Sequence, residues 1–159
     1  MILDKYEELL DEAIENNITI FEHYDFSGTR IRGLYCDSYV ALSDTLETNA
    51  QKICILSEEM GHFYTSNGNI IDMSIPENIK QEHQARAWAY NKLVGLGGII
   101  SAYNAHCQNL YEAAEHLGIT EEFLADALSY YRCKYGTFAT IDNYIIYFNP
   151  TLVVFELII

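Results

Sequence analysis

Apolar residues near the N-terminus (Ile2, Leu3, Tyr6, Leu9, Leu10, Ala13 and Ile14) recur at helical spacing with acids between them, until Asn16-Asn17 interrupts the pattern. This predicts an amphipathic first helix. Ile18-Thr19-Ile20-Phe21, Ile31 to Cys36 and Tyr39 to Leu42 are β-branched and aromatic runs, separated by Ser27-Gly28 and Asp37-Ser38, and predict a small antiparallel sheet. Thr48-x-x-Gln51 is a capping-box signature with Leu46 before it, and nothing breaks a helix from Ala50 to about Tyr64. Asn67-Gly68-Asn69 then turns the chain. Ser74-x-Pro76-Glu77 starts another helix with the apolar line Ala85, Trp88, Ala89 and Leu93, expected to end in Gly95-Leu96-Gly97-Gly98. Leu110 to Leu117, closed by Gly118, and a second segment that opens on Thr120, Glu121 and Glu122 and stops at Gly136 predict two helices around a tight turn. From Thr137 the period becomes strand-like, punctuated by Asp142-Asn143 and Asn149-Pro150, so the tail reads as a β-meander.

The class is therefore α+β: an N-terminal helix, a small antiparallel sheet, a central helix, a helical subdomain and a C-terminal β-meander. At 159 residues, half of them apolar, the chain is expected to form one packed domain over 1–159, with 110–136 as a helix-turn-helix-like subdomain inside it. Nine basic residues against 23 acidic ones leave a net charge of −14, which repels a phosphate backbone and anionic lipid. Glu121, Glu122 and Asp126 stand where a recognition helix would face DNA bases, so no direct nucleic-acid contact is expected. The other reading of those two helices is the wall of a cleft. No apolar run approaches the roughly 18 residues of a membrane helix, and the N-terminus is acidic where a secretory signal is basic, so a cytoplasmic protein is expected. Cys36, Cys54, Cys107 and Cys133 lack paired spacing and are expected to stay reduced, packed as small hydrophobes.

The chemistry concentrates in Ser57-Glu58-Glu59-Met60-Gly61-His62. Residues four apart share a helix face, so Glu58 and His62 project together and can hold one metal ion, with Glu59 beside that face. This is the geometry of His-Glu-x-x-His with Glu in place of the first His. In the unmodified motif two imidazoles bind Zn²⁺ and the central Glu takes a proton from water. Acid-rich helices also produce such spacing by chance, and then it is a solvated face. Glu82, Ala85, Ala89 and Leu93 put a carboxylate on an apolar stripe, where a charge is costly unless paired. A metal ion is one partner, and Arg86, four residues on, is the other. His83 lies about 100° around that helix from Glu82, and His23, His106 and His116 have no ligand partner at useful spacing.

The stretch Cys54-Ile55-Leu56-Ser57-Glu58-Glu59-Met60-Gly61-His62-Phe63-Tyr64-Thr65, followed by Gln81-Glu82-x-x-Ala85-Arg86-x-Trp88-Ala89, resembles the ImmA/IrrE family of metallo-endopeptidases from phages and mobile elements. The likeness continues through Tyr111 to Gly118, Thr120 to Leu124 and Ile141 to Tyr144. The resemblance implies a zincin-like fold, His62 and Glu82 as metal ligands with Glu58 in the place of the family's first His, and Glu59 as general base. It implies Zn²⁺, with Mn²⁺ favoured more by this harder ligand set than by a His-rich one. It also implies limited proteolysis of a regulatory protein, typically a helix-turn-helix repressor, whose basic surface the −14 charge would attract. Glu58 departs from the pattern. Two carboxylates and an imidazole cancel the ion's charge and leave its water less acidic. An acidic module that sequesters the repressor without cutting it is the alternative, and a hydrolase of small amides a third class. Neither the oligomeric state nor the target is written in the sequence.

Overall fold

The computed structural model describes residues 4–65 and 76–159. Two compact units divide the chain, the first ending at Ala89 and the second spanning Tyr90–Ile159. The fold is mixed α+β, with helices and two three-stranded sheets. Ile2, Leu3 and the Asn67-Gly68-Asn69 turn lie outside the described residues, as does Ser74.

In the first unit, helix α1 (Lys5–Glu15) opens on a capping box in which Asp4 accepts from the Glu7 N–H and Glu7 reaches back to the Asp4 N–H. Tyr6, Leu9 and Ala13 form its buried stripe, while Ile14, expected in that stripe, is 70% exposed. Strands β1 (Thr19–Tyr24), β2 (Gly33–Cys36) and β3 (Tyr39–Ser43) form a sheet of order β1-β3-β2. The expected antiparallel sheet is mixed instead. β2 and β3 make the hairpin that Asp37-Ser38 implies, with positive φ at both turn residues, but β1 runs parallel to β3. Residues 25–38 supply the crossover of a dozen or more residues that parallel pairing needs, and they include β2 itself. This leaves β2 at a sheet edge.

Helix α2 (Asn49–Thr65) packs on α1, β2 and β3. Its capping box forms as expected: the Gln51 N–H donates to Thr48 Oγ1 at 3.1 Å, and the Thr48 N–H donates to Gln51 Oε1 at 3.2 Å. Helix α3 (Pro76–Leu93) starts on the expected proline and buries Ala85 and Ala89 completely.

In the second unit the glycine run does not end helical structure. Gly95, at φ +62°, breaks the chain direction, and helix α4 (Gly95–Asn104) begins at once. Gly98 lies inside it, beside the Leu117 side chain, where a Cβ would make ordinary contact at 3.4 Å. Helices α5 (Leu110–Leu117) and α6 (Glu121–Tyr135) follow with the anticipated caps: Gly118 left-handed at φ +69°, and Thr120 Oγ1 accepting from the Phe123 N–H at 3.2 Å. Strands β4 (Phe138–Ile141), β5 (Tyr144–Tyr147) and β6 (Val153–Glu156) form the antiparallel meander.

All four cysteines are free thiols, but only Cys54 is buried; Cys36 and Cys133 are exposed, against the expectation that they pack as small hydrophobes. Both stand where their element turns a face to water, so neither has a core to enter. No helix among the described residues is long and apolar enough to cross a membrane.

Candidate metal centre

Helix α2 carries two of the groups that matter on different sides of one turn. Leu56, Ser57, Met60 and Gly61 face the interior, and His62 joins them at 6% exposure, so this segment is not a solvated helix face. Gly61 explains how the site closes. A Cβ on Gly61 would lie 2.3 Å from the Ala85 carbonyl oxygen, so α2 and α3 touch backbone to backbone at this point. Any side chain would hold the helices apart. One residue on, the imidazole of His62 reaches across, and its Nε2 lies 3.2 Å from Glu82 Oε2. A stacked Tyr64–Trp88 pair, 4.7 Å between ring centroids, seals the same helix–helix contact.

Glu82 is paired at both oxygens, and the Arg86 pairing expected four residues on is present. Oε2 faces His62, while Oε1 accepts from Arg86 Nε at 2.9 Å. The hydrogen bond with His62, and then the charges of His62 and Arg86, hold the Glu82 carboxyl below the usual carboxylate range despite its partial burial.

Glu59 is placed by the sheet. A Cβ on Gly33 would lie 2.5 Å from Ile55 Cγ2 and 2.9 Å from Glu59 Oε1, so the missing side chain lets β2 lie directly on α2. The Arg32 carbonyl accepts from the Ser43 N–H, and alternation along the hairpin turns the polar groups of Gly33 and Tyr35 to the free edge. There the Tyr35 N–H donates to the Glu59 carboxylate. Burial pushes the Glu59 carboxyl up to about 7; the negative charges of Glu58 and Glu82 push the same way, against the opposing pull of His62 and the Tyr35 N–H. The residue keeps some surface open, but its carboxyl is desolvated.

Glu58 is half-buried and lies one helical turn before His62. The structure thus brings His62 and Glu82 together, with Glu59 close enough to feel both charges. Among the described residues, no group of three His, Cys, Asp or Glu side chains is gathered closely enough to hold a metal ion. His83 is exposed on α3, His23 and His106 are exposed at left-handed backbone positions, and His116 Nε2 is hydrogen-bonded to Ser101 Oγ at 2.8 Å. Glu121, Glu122 and Asp126 do sit on the first turns of α6, as the argument against DNA contact supposed.

The contributions of Gly33, Gly61 and the Tyr35 N–H are absent from the sequence reading. Gly61 left a trace there: a glycine within a helix costs about 1 kcal/mol relative to alanine, which signals a close approach. Compared with known proteins, the chain matches no family model, no curated protein and no solved structure.

Proposed function

We propose that the chain is a metal-dependent endopeptidase of the ImmA/IrrE kind, cytoplasmic, acting on a regulatory protein such as a helix-turn-helix repressor. The reading rests above all on the 3.2 Å approach of His62 Nε2 to Glu82 Oε2 beside a desolvated Glu59. The donor set suits Zn²⁺, with Mn²⁺ second. Bonds near 2.1 Å spread tetrahedrally separate neighbouring ligand atoms by about 3.4 Å, close to the spacing of this pair. Glu58, four residues before His62, is the third ligand in this proposal, brought in by rotation about its own side-chain bonds. We read the first unit as zincin-like because an edge strand, β2, lies against the helix that carries the histidine.

Bound there, Zn²⁺ would supply Lewis acidity to the scissile carbonyl and to the attacking water. His62 and Glu82 would hold the ion from two helices. Glu59 takes the proton of the attacking water on its carboxylate and returns it to the leaving amine nitrogen. A carboxyl placed beside the ion and shielded from bulk water is suited to both transfers. The outward polar groups of Gly33 and the Tyr35 carbonyl offer an extended substrate main-chain pairing along β2, which orients the scissile bond. A target with a basic surface would be drawn to the −14 charge.

The sequestering alternative draws support from the third ligand, which is not gathered with the other two. Intact mass of a candidate helix-turn-helix repressor, after incubation with zinc-loaded protein, separates the two readings. Cleavage is expected with the parent, and a loss of about 10²- to 10⁴-fold in rate with Glu59→Gln, with metal content unchanged. An uncut repressor bound equally by both forms would establish sequestration.

A further inference from the structure

Strand β6 closes one side of the second sheet, whose order is β4-β5-β6. The Leu157 N–H donates to the Asn143 carbonyl at 2.7 Å. Alternation along the pair then turns the main-chain groups of Val153, Phe155 and Leu157 to β5, and those of Val154 and Glu156 to the outer edge. Such edges are ordinarily guarded by lysine, proline or a bulge. Here Glu156 is the single charge from Leu152 to Ile159, and its carboxylate leans back to Asn143 Nδ2 at 3.4 Å.

Two other features run along the same edge. On the outer face, Phe138, Tyr147 and Phe155 form a row of rings across the three strands, with centroids 5.6 and 5.8 Å apart, and the two phenylalanines are about half exposed. On the helix face lies a cavity of about 350 Å³, lined by Leu110, Leu117, Leu124 and Leu128 of α5 and α6 and by Leu152 and Val154 at the edge itself. Leu157, Ile158 and Ile159, which follow the strand, are apolar and exposed, the last two wholly.

We propose that β6 is a dimerisation edge, which pairs antiparallel with β6 of a second copy so that Phe155 faces Phe155 across a two-fold axis. An antiparallel pair is self-complementary, so one edge serves both copies. In this register Val154 of each copy exchanges main-chain hydrogen bonds with Glu156 of the other, and the two rows of rings become one. Charge selects it: a pairing centred on Glu156 sets carboxylate against carboxylate, whereas here each Glu156 lies opposite a valine. Continued by two residues, the second strand sets its Ile158 opposite Leu152 on the helix face, at the cavity. The exposed shares of Val153, Phe155, Leu157, Ile158 and Ile159 come to about 600 Å² per copy, at roughly 150–200 Å² for a whole side chain. Counted from both copies, that clears the roughly 1,000 Å² expected of a specific interface.

The test is sedimentation equilibrium of the full chain, where a Kd on the order of 10 μM is expected for an interface of this size. The surface lies wholly in the second unit, so the measurement is indifferent to metal. Val154→Pro removes an N–H that β5 does not use, and the loss of one hydrogen bond from each copy should weaken the dimer by about 10- to 100-fold. Ile158→Glu, at a wholly exposed position, should weaken it by about 10-fold or more with the thermal midpoint of the monomer unchanged. Phe155→Cys sets two thiols on the axis in a non-hydrogen-bonded pair, whose Cα separation of about 4.5 Å suits a disulfide. Val153→Cys, which faces Leu157, has no such partner. Mild oxidation should therefore join two copies through position 155 and not through 153, as read by peptide mass. A parent that stays monomeric at about ten times the expected Kd, or a dimer that survives both Val154→Pro and Ile158→Glu, would overturn the proposal. Linkage through 153 in preference to 155 would overturn the register, and with it the seat of Ile158.

Discussion

In the second unit, Tyr131 is wholly buried on α6, and its hydroxyl is satisfied by neutral groups: it accepts from the Gly95 N–H at 2.9 Å and donates toward the Tyr90 carbonyl at 2.9 Å and Asn91 Oδ1 at 3.1 Å. In the first unit, buried His62 meets the carboxylate of Glu82, and the Glu59 carboxyl next to it is desolvated, with the Tyr35 N–H as a hydrogen-bond donor. Both units bury polar groups, but with partners of different kinds. A hydroxyl tied to neutral groups keeps its charge state at neutral pH and fixes a turn. Ionisable groups tied to one another exchange protons or take up a cation, at a cost in stability that a purely structural core would avoid.

The sharpest way to break the first arrangement is at Gly61. Gly61→Val drives a side chain into the Ala85 carbonyl, where even a Cβ would lie at 2.3 Å. It should cost about 3 kcal/mol or more in urea denaturation and separate His62 from Glu82. Tyr131→Phe breaks the second arrangement, leaving the Gly95 N–H without its acceptor while the Tyr90 carbonyl keeps the Val94 N–H. A loss of about 1–3 kcal/mol is expected in the same measurement, with metal binding by the first unit untouched.

The pH dependence of stability distinguishes the two kinds of burial further. Glu59 binds a proton more tightly folded than unfolded, so its contribution falls as pH rises from the ordinary carboxylate value near 4.5 to about 7, and is constant above that. Glu82 has the opposite sign: its depressed value gives stability present above the unfolded pKa and lost as pH falls through the folded one. Glu59→Gln should therefore raise the stability of the metal-free protein at pH 8, on the order of 1–2 kcal/mol once solvent access is allowed for, and leave it nearly unchanged at pH 4. Equal gains at both pH values would show that Glu59 is not desolvated.

What the chain encodes locally was legible. The Thr48–Gln51 box, the Gly118 and Thr120 caps and the Asp37-Ser38 hairpin each depend on residues within four positions of one another, and each forms. The Asp4–Glu7 box is as local, and could have been read by the same rule. The parallel pairing of β1 with β3 depends on which strands meet across an intervening one, and helix α4 starts directly on Gly95, whose positive φ redirects the chain without ending helical structure. Neither leaves a periodic signal. At the candidate site the Glu58–His62 spacing was visible because it lies on one helix. The pairing of Glu82 with both His62 and Arg86 required the second helix, and hence the contact that Gly61 permits.

Metal content bears most directly on the account. After expression and purification without chelator, elemental analysis of the parent and of His62→Ala should find about one zinc per chain in the parent and a small residue of it in the variant, with both folded by circular dichroism. A folded parent that neither carries nor takes up zinc or manganese, or a variant that retains as much as the parent, would contradict a metal centre at His62 and Glu82.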